Sequence, residues 1–326
     1  MESSGGSARI GRALPVLLVL IVAAGCSGQQ ASQGGGSGDD PIKVVATYSI
    51  LGDLVKNVGG DNIELTTLVG PNGDAHTFEP APTDNVELAD ADVVFENGLE
   101  FETWLDDLYE SSGSEGERVI VTEGIEPLPI AEEEHAEEGE HAGEEHEHGE
   151  YDPHVWHDPT NAVVMVESIR DALVEADPDN AEAYEQNADE YIAELEKLDT
   201  DAREQVDSIP ENNRTLFTSH DTFGYFAERY DFGVDTALAS ASTEASDPSA
   251  GETAELVEEV EASGVPAIFA ENVSNPGMMD GIASEAGVEL APTLYTDALG
   301  EPGTDGATYI QMVRYNVSTM SEALKQ

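Results

Sequence analysis

A chain of 326 residues has the length of two ordinary domains, and a hydrophobic content of 39% is enough to build cores in both. Its 69 acidic residues face only 12 basic ones, for a net charge of -57, which argues against nucleic acid and against electrostatic attachment to anionic lipid. No single run holds most of the acids. They read as a halophilic surface, in which carboxylates hold water and salt screens their repulsion.

The single cysteine, Cys26, excludes an intramolecular disulfide. Arg9 and Arg12 precede an apolar run from Ala13 to Ala24, followed by Gly25-Cys26-Ser27. That run falls short of the roughly 20 residues that span a bilayer, so it reads as an export signal. Val22-Ala23-Ala24-Gly25-Cys26 resembles a lipobox. The resemblance implies cleavage before Cys26, lipid on its thiol, and a position at the cell surface on the outer face of the cytoplasmic membrane. Residues 27–41, rich in Gly, Ser and Gln, read as a flexible tether.

Strands and helices alternate from Ile42. Strands are expected at Ile42–Tyr48, Ile63–Val69, Asp92–Glu96 and Arg118–Thr122, with helices near Leu51–Val58, Val86–Ala89 and Phe101–Tyr109. Residues 132–150 interrupt this alternation with a low-complexity insert of glutamates carrying His135, His141, His146 and His148. It has no apolar period. Clustered histidine on such a segment suits weak, fast metal sampling.

Asp158-Pro159 reads as a cap with proline in the first turn of a helix through Val163–Val174. From Pro178 to Ile209 there is no internal Pro or Gly, and Tyr184, Ala188, Tyr191, Ile192, Leu195, Leu198, Ala202 and Val206 keep helical spacing. A helix of that length would reach about 45 Å and act as a stiff strut. The alternation then resumes. Strands are expected at Thr215–Ser219, Gly233–Leu238, Pro266–Ala270 and Val288–Pro292. Helices are expected at Asp221–Tyr230, Ala250–Ser263, Pro276–Ala286 and Tyr309–Leu324. The expected fold is therefore α/β: two lobes with mostly parallel sheets, 42–177 and 210–326, joined by one long rigid helix over 178–209.

Outside the insert the histidines are His76, His154, His157 and His220. His76 and His220 follow expected strands, His154 precedes the connecting helices, and Asp297 follows the last strand. In open α/β sheets, ligands bind beyond the carboxyl ends of strands. Neutral imidazoles with one carboxylate make a zinc shell. Glu271, at the end of another strand, is an alternative ligand or a carboxylate that orients one.

Four segments in order, GDAHTFEPAPTD, DPHVWHDP, FTSHDTFGYFAERYDF and LYTDALG, resemble the zinc/manganese solute-binding proteins of ABC importers, over nearly all of the chain from Ile42. The resemblance implies a receptor rather than an enzyme: a monomer that captures a divalent metal for a permease and its ATPase. It implies His76, His154, His220 and Asp297 as ligands, with His157 a neighbour of the site. Histidine at 220, where some manganese-binding relatives carry a carboxylate, favours zinc as cargo, and manganese is the alternative. A surface-anchored metal-dependent hydrolase is a second alternative, with Glu271 or Glu79 as its base, but the chain has no H-E-x-x-H helix. An adhesin is a third reading, explained as a by-product of surface display.

Overall fold

The computed structural model describes residues 41–130, 150–234 and 250–325, and these belong to one compact unit. The readings placed on Cys26, on the tether and on the histidines of the insert lie outside the described residues.

The first sheet is built from β1 (Ile42–Tyr48), β2 (Ile63–Val69), β3 (Val93–Glu96) and β4 (Glu117–Ile120), all parallel, in the order β2-β1-β3-β4. Helices α1 (Ser49–Gly59), α2 (Pro82–Asp90) and α3 (Leu105–Ser112) connect the strands. After α4 (Pro159–Ala176) and α5 (Ala181–Val206) come two further parallel pairs. One is β5 (Thr215–Leu216) with β6 (Gly233–Val234), and the other is β7 (Ala267–Glu271) with β8 (Glu289–Leu294). Their helices are α6 (Gly224–Tyr230), α7 (Ala250–Ser263), α8 (Pro276–Ala286) and α9 (Tyr309–Leu324). The Phe269 amide donates to the Phe217 carbonyl, so β7 borders the segment just after β5.

The period-two alternation of strand side chains divides the core. Val44, Ala46, Val93 and Phe95 enter one large cluster, while Val45 and Val94 enter another with Leu88, Leu105 and Leu108 of α2 and α3. In the same way Ala267 and Phe269 face the large cluster, and Ile268 and Ala270 face Leu256, Val260, Met279 and Ile282 of α7 and α8. The large cluster thus takes the inner faces of the four-stranded sheet and of the β7–β8 pair, together with α1, α4, α5 and α9.

The helix expected over 178–209 is shorter. Pro178–Asn180 is a 3-10 turn, α5 covers Ala181–Val206, and the chain turns at Asp207–Ile209 before Pro210. The side chain of Asp177 explains the delayed start, because it accepts from Asn180 Nδ2 and the Tyr184 hydroxyl instead of capping a backbone amide. By contrast Asp158 caps α4 as expected, accepting from the Thr160 amide. All the named apolar positions of α5 are buried except Ile192, which is half-buried, and the helix packs against α1, α4 and α9.

Two other helices begin late. Gly98, Leu99 and Glu100 take left-handed conformations (φ 81°, 54° and 61°), and buried Glu102 accepts from the amides of Asn97 and Gly98, so α3 starts at Leu105 rather than Phe101. Similarly, Ser219–Phe223 is held out of helix because Glu271 takes the amides of Ser219 and His220. Strand β5 accordingly ends at Leu216, and β6 is described only to Val234.

Candidate metal centre

Four side chains from distant parts of the chain converge. One donor atom from each of His76, His154, His220 and Asp297 lies within 4.8 Å of all the others. His76 follows β2 and His220 follows β5. Asp297 follows β8, and His154 begins the 3-10 turn Val155–His157 that leads into α4. Three of these residues sit beyond the carboxyl ends of parallel strands, where an open α/β sheet exposes its loops.

Local chemistry aims each donor. Asp152 Oδ1 accepts from the His154 amide (2.9 Å) and faces its Nδ1 at 2.7 Å. With Nδ1–H given to that carboxylate, the Nε2 lone pair of His154 is turned into the cluster. Asp74 accepts from the His76 amide at 2.8 Å by the same two-residue turn, but its other oxygen takes the Thr77 hydroxyl and not the ring. Glu271 Oε1 accepts from the Ser219 amide (2.5 Å), the Ser219 hydroxyl (2.7 Å) and the His220 amide (3.0 Å), and Oε2 lies against His220 Nδ1. Glu271 therefore stands behind His220, outside the four-atom cluster.

His157 is one residue further out. Thr222 Oγ1 donates to Asp297 Oδ1 (3.2 Å) and lies 3.2 Å from His157 Nε2. A hydroxyl has one proton, so Thr222 accepts from His157 while donating to Asp297. Burial lowers the His157 pKa to about 3, consistent with a neutral ring that donates through Nε2.

Two of the donor atoms, those of His220 and Asp297, are close without being hydrogen-bonded. His220 Nε2 and Asp297 Oδ2 are buried and 2.9 Å apart, yet neither has a hydrogen-bond partner among the described residues. His76 Nε2 and His154 Nε2 face each other at 3.2 Å. Orphaned buried polar atoms are costly, and lone pairs aimed at a shared point are what a cation would satisfy.

The electrostatics divide the histidines. Burial, together with the neighbouring imidazoles, lowers the His76 pKa to about 3 against the pull of Asp297. Burial also opposes charge on His154 and His220, but carboxylates outweigh it: Asp297 and Asp152 raise His154, and Glu271 and Asp297 raise His220 well above the usual range. Burial would raise Asp297, yet His220, His154 and His76 hold it far below ordinary carboxylates.

The reading of the sequence passed over Asp152, Thr222 and Asn272. A local signal for the first existed, since Asp-x-His occurs at Asp74–His76 and again at Asp152–His154. Thr222 and Asn272 act across folded distances and left no local trace. Asn272 binds the segment around Asp297, with Oδ1 accepting from the Thr296 amide (3.0 Å) and Nδ2 donating to the Ala298 carbonyl (3.1 Å).

Comparison with known proteins agrees with this geometry. Residues 44–323 match the family model described as zinc-uptake complex component A, periplasmic. The manganese-binding lipoprotein MntA of Halalkalibacterium halodurans is 35% identical over 311 residues, covering 95% of this chain and 97% of that protein. MntA of Bacillus subtilis is 33% identical, covering 97% of this chain and 100% of that one. The periplasmic zinc-binding protein TroA of Treponema pallidum superposes with a TM-score of 0.77 at 29% identity, covering 88% of this chain and 100% of that chain. Four donors gathered at strand ends of a parallel α/β fold thus accompany a match along almost the whole folded chain, and the protein belongs to the zinc-uptake component A family of metal-binding receptors.

Proposed function

We propose that the protein is an extracytoplasmic receptor, tethered by lipid on Cys26, that captures one divalent transition metal at His76, His154, His220 and Asp297 and delivers it to an ABC permease and its ATPase. The carrying observation is the four-donor cluster with orphaned, converging lone pairs. On this reading the lobes are 42–177 and 210–326, with α5 between them. A closed shell of four side chains suits holding a metal, whereas a catalytic zinc keeps a position open for water. The relatives' names describe binding proteins, in keeping with a receptor and not an enzyme.

Zinc is the cargo we favour. Two nitrogens bound to one tetrahedral zinc at about 2.0–2.1 Å stand about 3.3 Å apart, close to the observed separation of the His76 and His154 nitrogens, and three imidazoles with one carboxylate are a zinc set. Manganese is the second reading, favoured by the names of both sequence relatives. The test is the metal content of the chain from Asp40 onward, purified in high salt without added metal, followed by zinc and manganese competition calorimetry. About one tightly held zinc, retained when 132–150 is deleted, supports the assignment. Tight manganese with weak zinc keeps the receptor and reverses the cargo. Loss of tight binding on that deletion alone would move the site into the insert.

Asp152 is expected to matter nearly as much as a ligand. A methyl group at Gly224 would stand 2.5 Å from Asp152 Oδ2, so Gly224→Ala must displace the carboxylate that orients His154. Such disturbances behind a ligand typically cost about 10–100-fold in affinity. Gly233→Ala, whose added methyl meets Thr215 Oγ1 at an ordinary 3.5 Å, is the control. Equal affinities for the two variants by calorimetry would remove Asp152 from the account.

A further inference from the structure

An exposed loop is fastened to the segment that carries Asp297 by one backbone bond and by side chains outside the four-donor cluster. Gly70–Gly73 is a tight turn closed by the Gly73 amide on the Gly70 carbonyl, with Pro71 second and Asn72 third in a left-handed conformation (φ 55°). The Asn72 amide donates to the Leu299 carbonyl at 2.8 Å, and its Oδ1 accepts from Asn272 Nδ2 at 3.2 Å. Asn272 is the residue that also binds Thr296 N and Ala298 O, the peptide groups on either side of Asp297. The orientation of its amide is not ambiguous, because the Thr296 amide can only donate and the Ala298 carbonyl can only accept. The turn lies just before His76, whose side chain is 19% exposed, while that of Asp297 is fully buried. His154 and His220 are each backed by a carboxylate, Asp152 and Glu271. The His76 ring instead rests edge-on against Phe101, centroids 4.6 Å apart.

We propose that Asn272 is a positioning residue that clasps the Asp297 segment to the His76 loop, and that this clasp sets how slowly bound metal leaves by way of His76. The inference rests on the four-donor reading and adds the route and its latch. Each hydrogen bond of this kind contributes modestly, so losing the clasp should speed release about three- to tenfold.

The experiment loads the protein with zinc, or with manganese if that is the ion held, and follows its transfer to an excess of fluorescent chelator by stopped flow. Asn272→Ala and Asn72→Gly, the latter keeping the left-handed turn free of strain, should each release metal about three- to tenfold faster. The double variant should fall short of the product of the two, because they share one contact. Asn272→Asp keeps the acceptor for Thr296 but sets a carboxylate against the Ala298 and Asn72 oxygens, and should release at least as fast as the alanine variant. The metal-free Tm should stay close to wild type, which a merely structural role would not allow. Wild-type release rates in Asn272→Asp and Asn72→Gly would overturn the clasp, as would a lowered metal-free Tm with no change in rate. Absence of tight metal in the wild-type protein would overturn the receptor reading and the clasp with it, an outcome distinct from metal held and released at unaltered rates. Should Asn272→Ala fail to fold, Asn72→Gly on the exposed turn decides alone.

Discussion

His154→Ala is expected to abolish nearly all of the stabilisation that metal confers. At a free metal concentration about a thousand times Kd, binding to the native state alone adds about 4 kcal/mol to the wild-type protein. The substitution removes one of four donors from a buried centre, opens a void, and leaves Asp152 and Asp297 without the imidazole between them. Among the described residues the remaining three donors have no preformed replacement, so at that concentration the gain should fall to nearly zero. Thermal or denaturant unfolding with and without zinc measures it, and deletion of 132–150 provides the contrast because it should leave the gain intact. A variant that still gains about 4 kcal/mol would remove His154 from the ligand set.

Metal affinity should fall steeply as pH drops, and the cause lies chiefly in His220. In the metal-free chain burial disfavours its charge, but Glu271 and Asp297 prevail and raise its pKa well above the usual range. A ligating nitrogen must give up its proton, so binding expels it, and affinity should weaken about tenfold per pH unit for each proton displaced below that raised pKa. His76, lowered to about 3, adds no such competition near neutrality. The sign for the metal-free protein is opposite. A folded pKa above the unfolded value means that the contribution of His220 to stability is complete below the unfolded pKa, near 6.5, and is lost as pH rises through the folded one. Raising pH through the folded value should thus remove what His220 contributes to the empty protein while strengthening its grip on metal. Calorimetry in buffers of different ionisation enthalpy counts the released protons, and a count of zero from pH 6 to 8 would contradict the arrangement around His220.

Much of the fold was legible because the signals were local. The limits of α8 and α9, and the C-terminal limit of α7, coincide with those expected from their flanking turn residues and apolar periods. The departures occur where a carboxylate side chain competes for backbone amides. Glu102 holds the loop before α3, and Glu271 holds the one before α6. Glu102 is local, four and five residues from the amides it takes, but no apolar period marks it, whereas Glu271 lies about fifty residues away and no window of sequence contains it. The converging quartet was readable because its members sit at strand ends, where fold and chemistry coincide. Position at a strand end does not by itself separate Asp297 from Glu271, since both follow strands, and the choice of Asp297 comes from the resemblance of LYTDALG. An irregularity in the β7–β8 pairing separates them: Phe269 pairs with Ala291 but Glu271 with Leu294, so β8 gains a residue around Pro292, which has no amide for the ladder.

The large apolar cluster shared by the four-stranded sheet and the β7–β8 pair has a consequence for recombination between relatives. Fragments exchanged at Pro210 would each carry half of a core, because β1 and β3 bury their inner residues in the same cluster as β7, β8 and α9. A working chimera must instead inherit α1, α4, α5 and α9 as one block and confine its foreign parts to the outer layer, α2 and α3 or α7 and α8, whose clusters are separate. Evolution of this chain by domain shuffling is constrained in the same way, and change is free chiefly at its periphery.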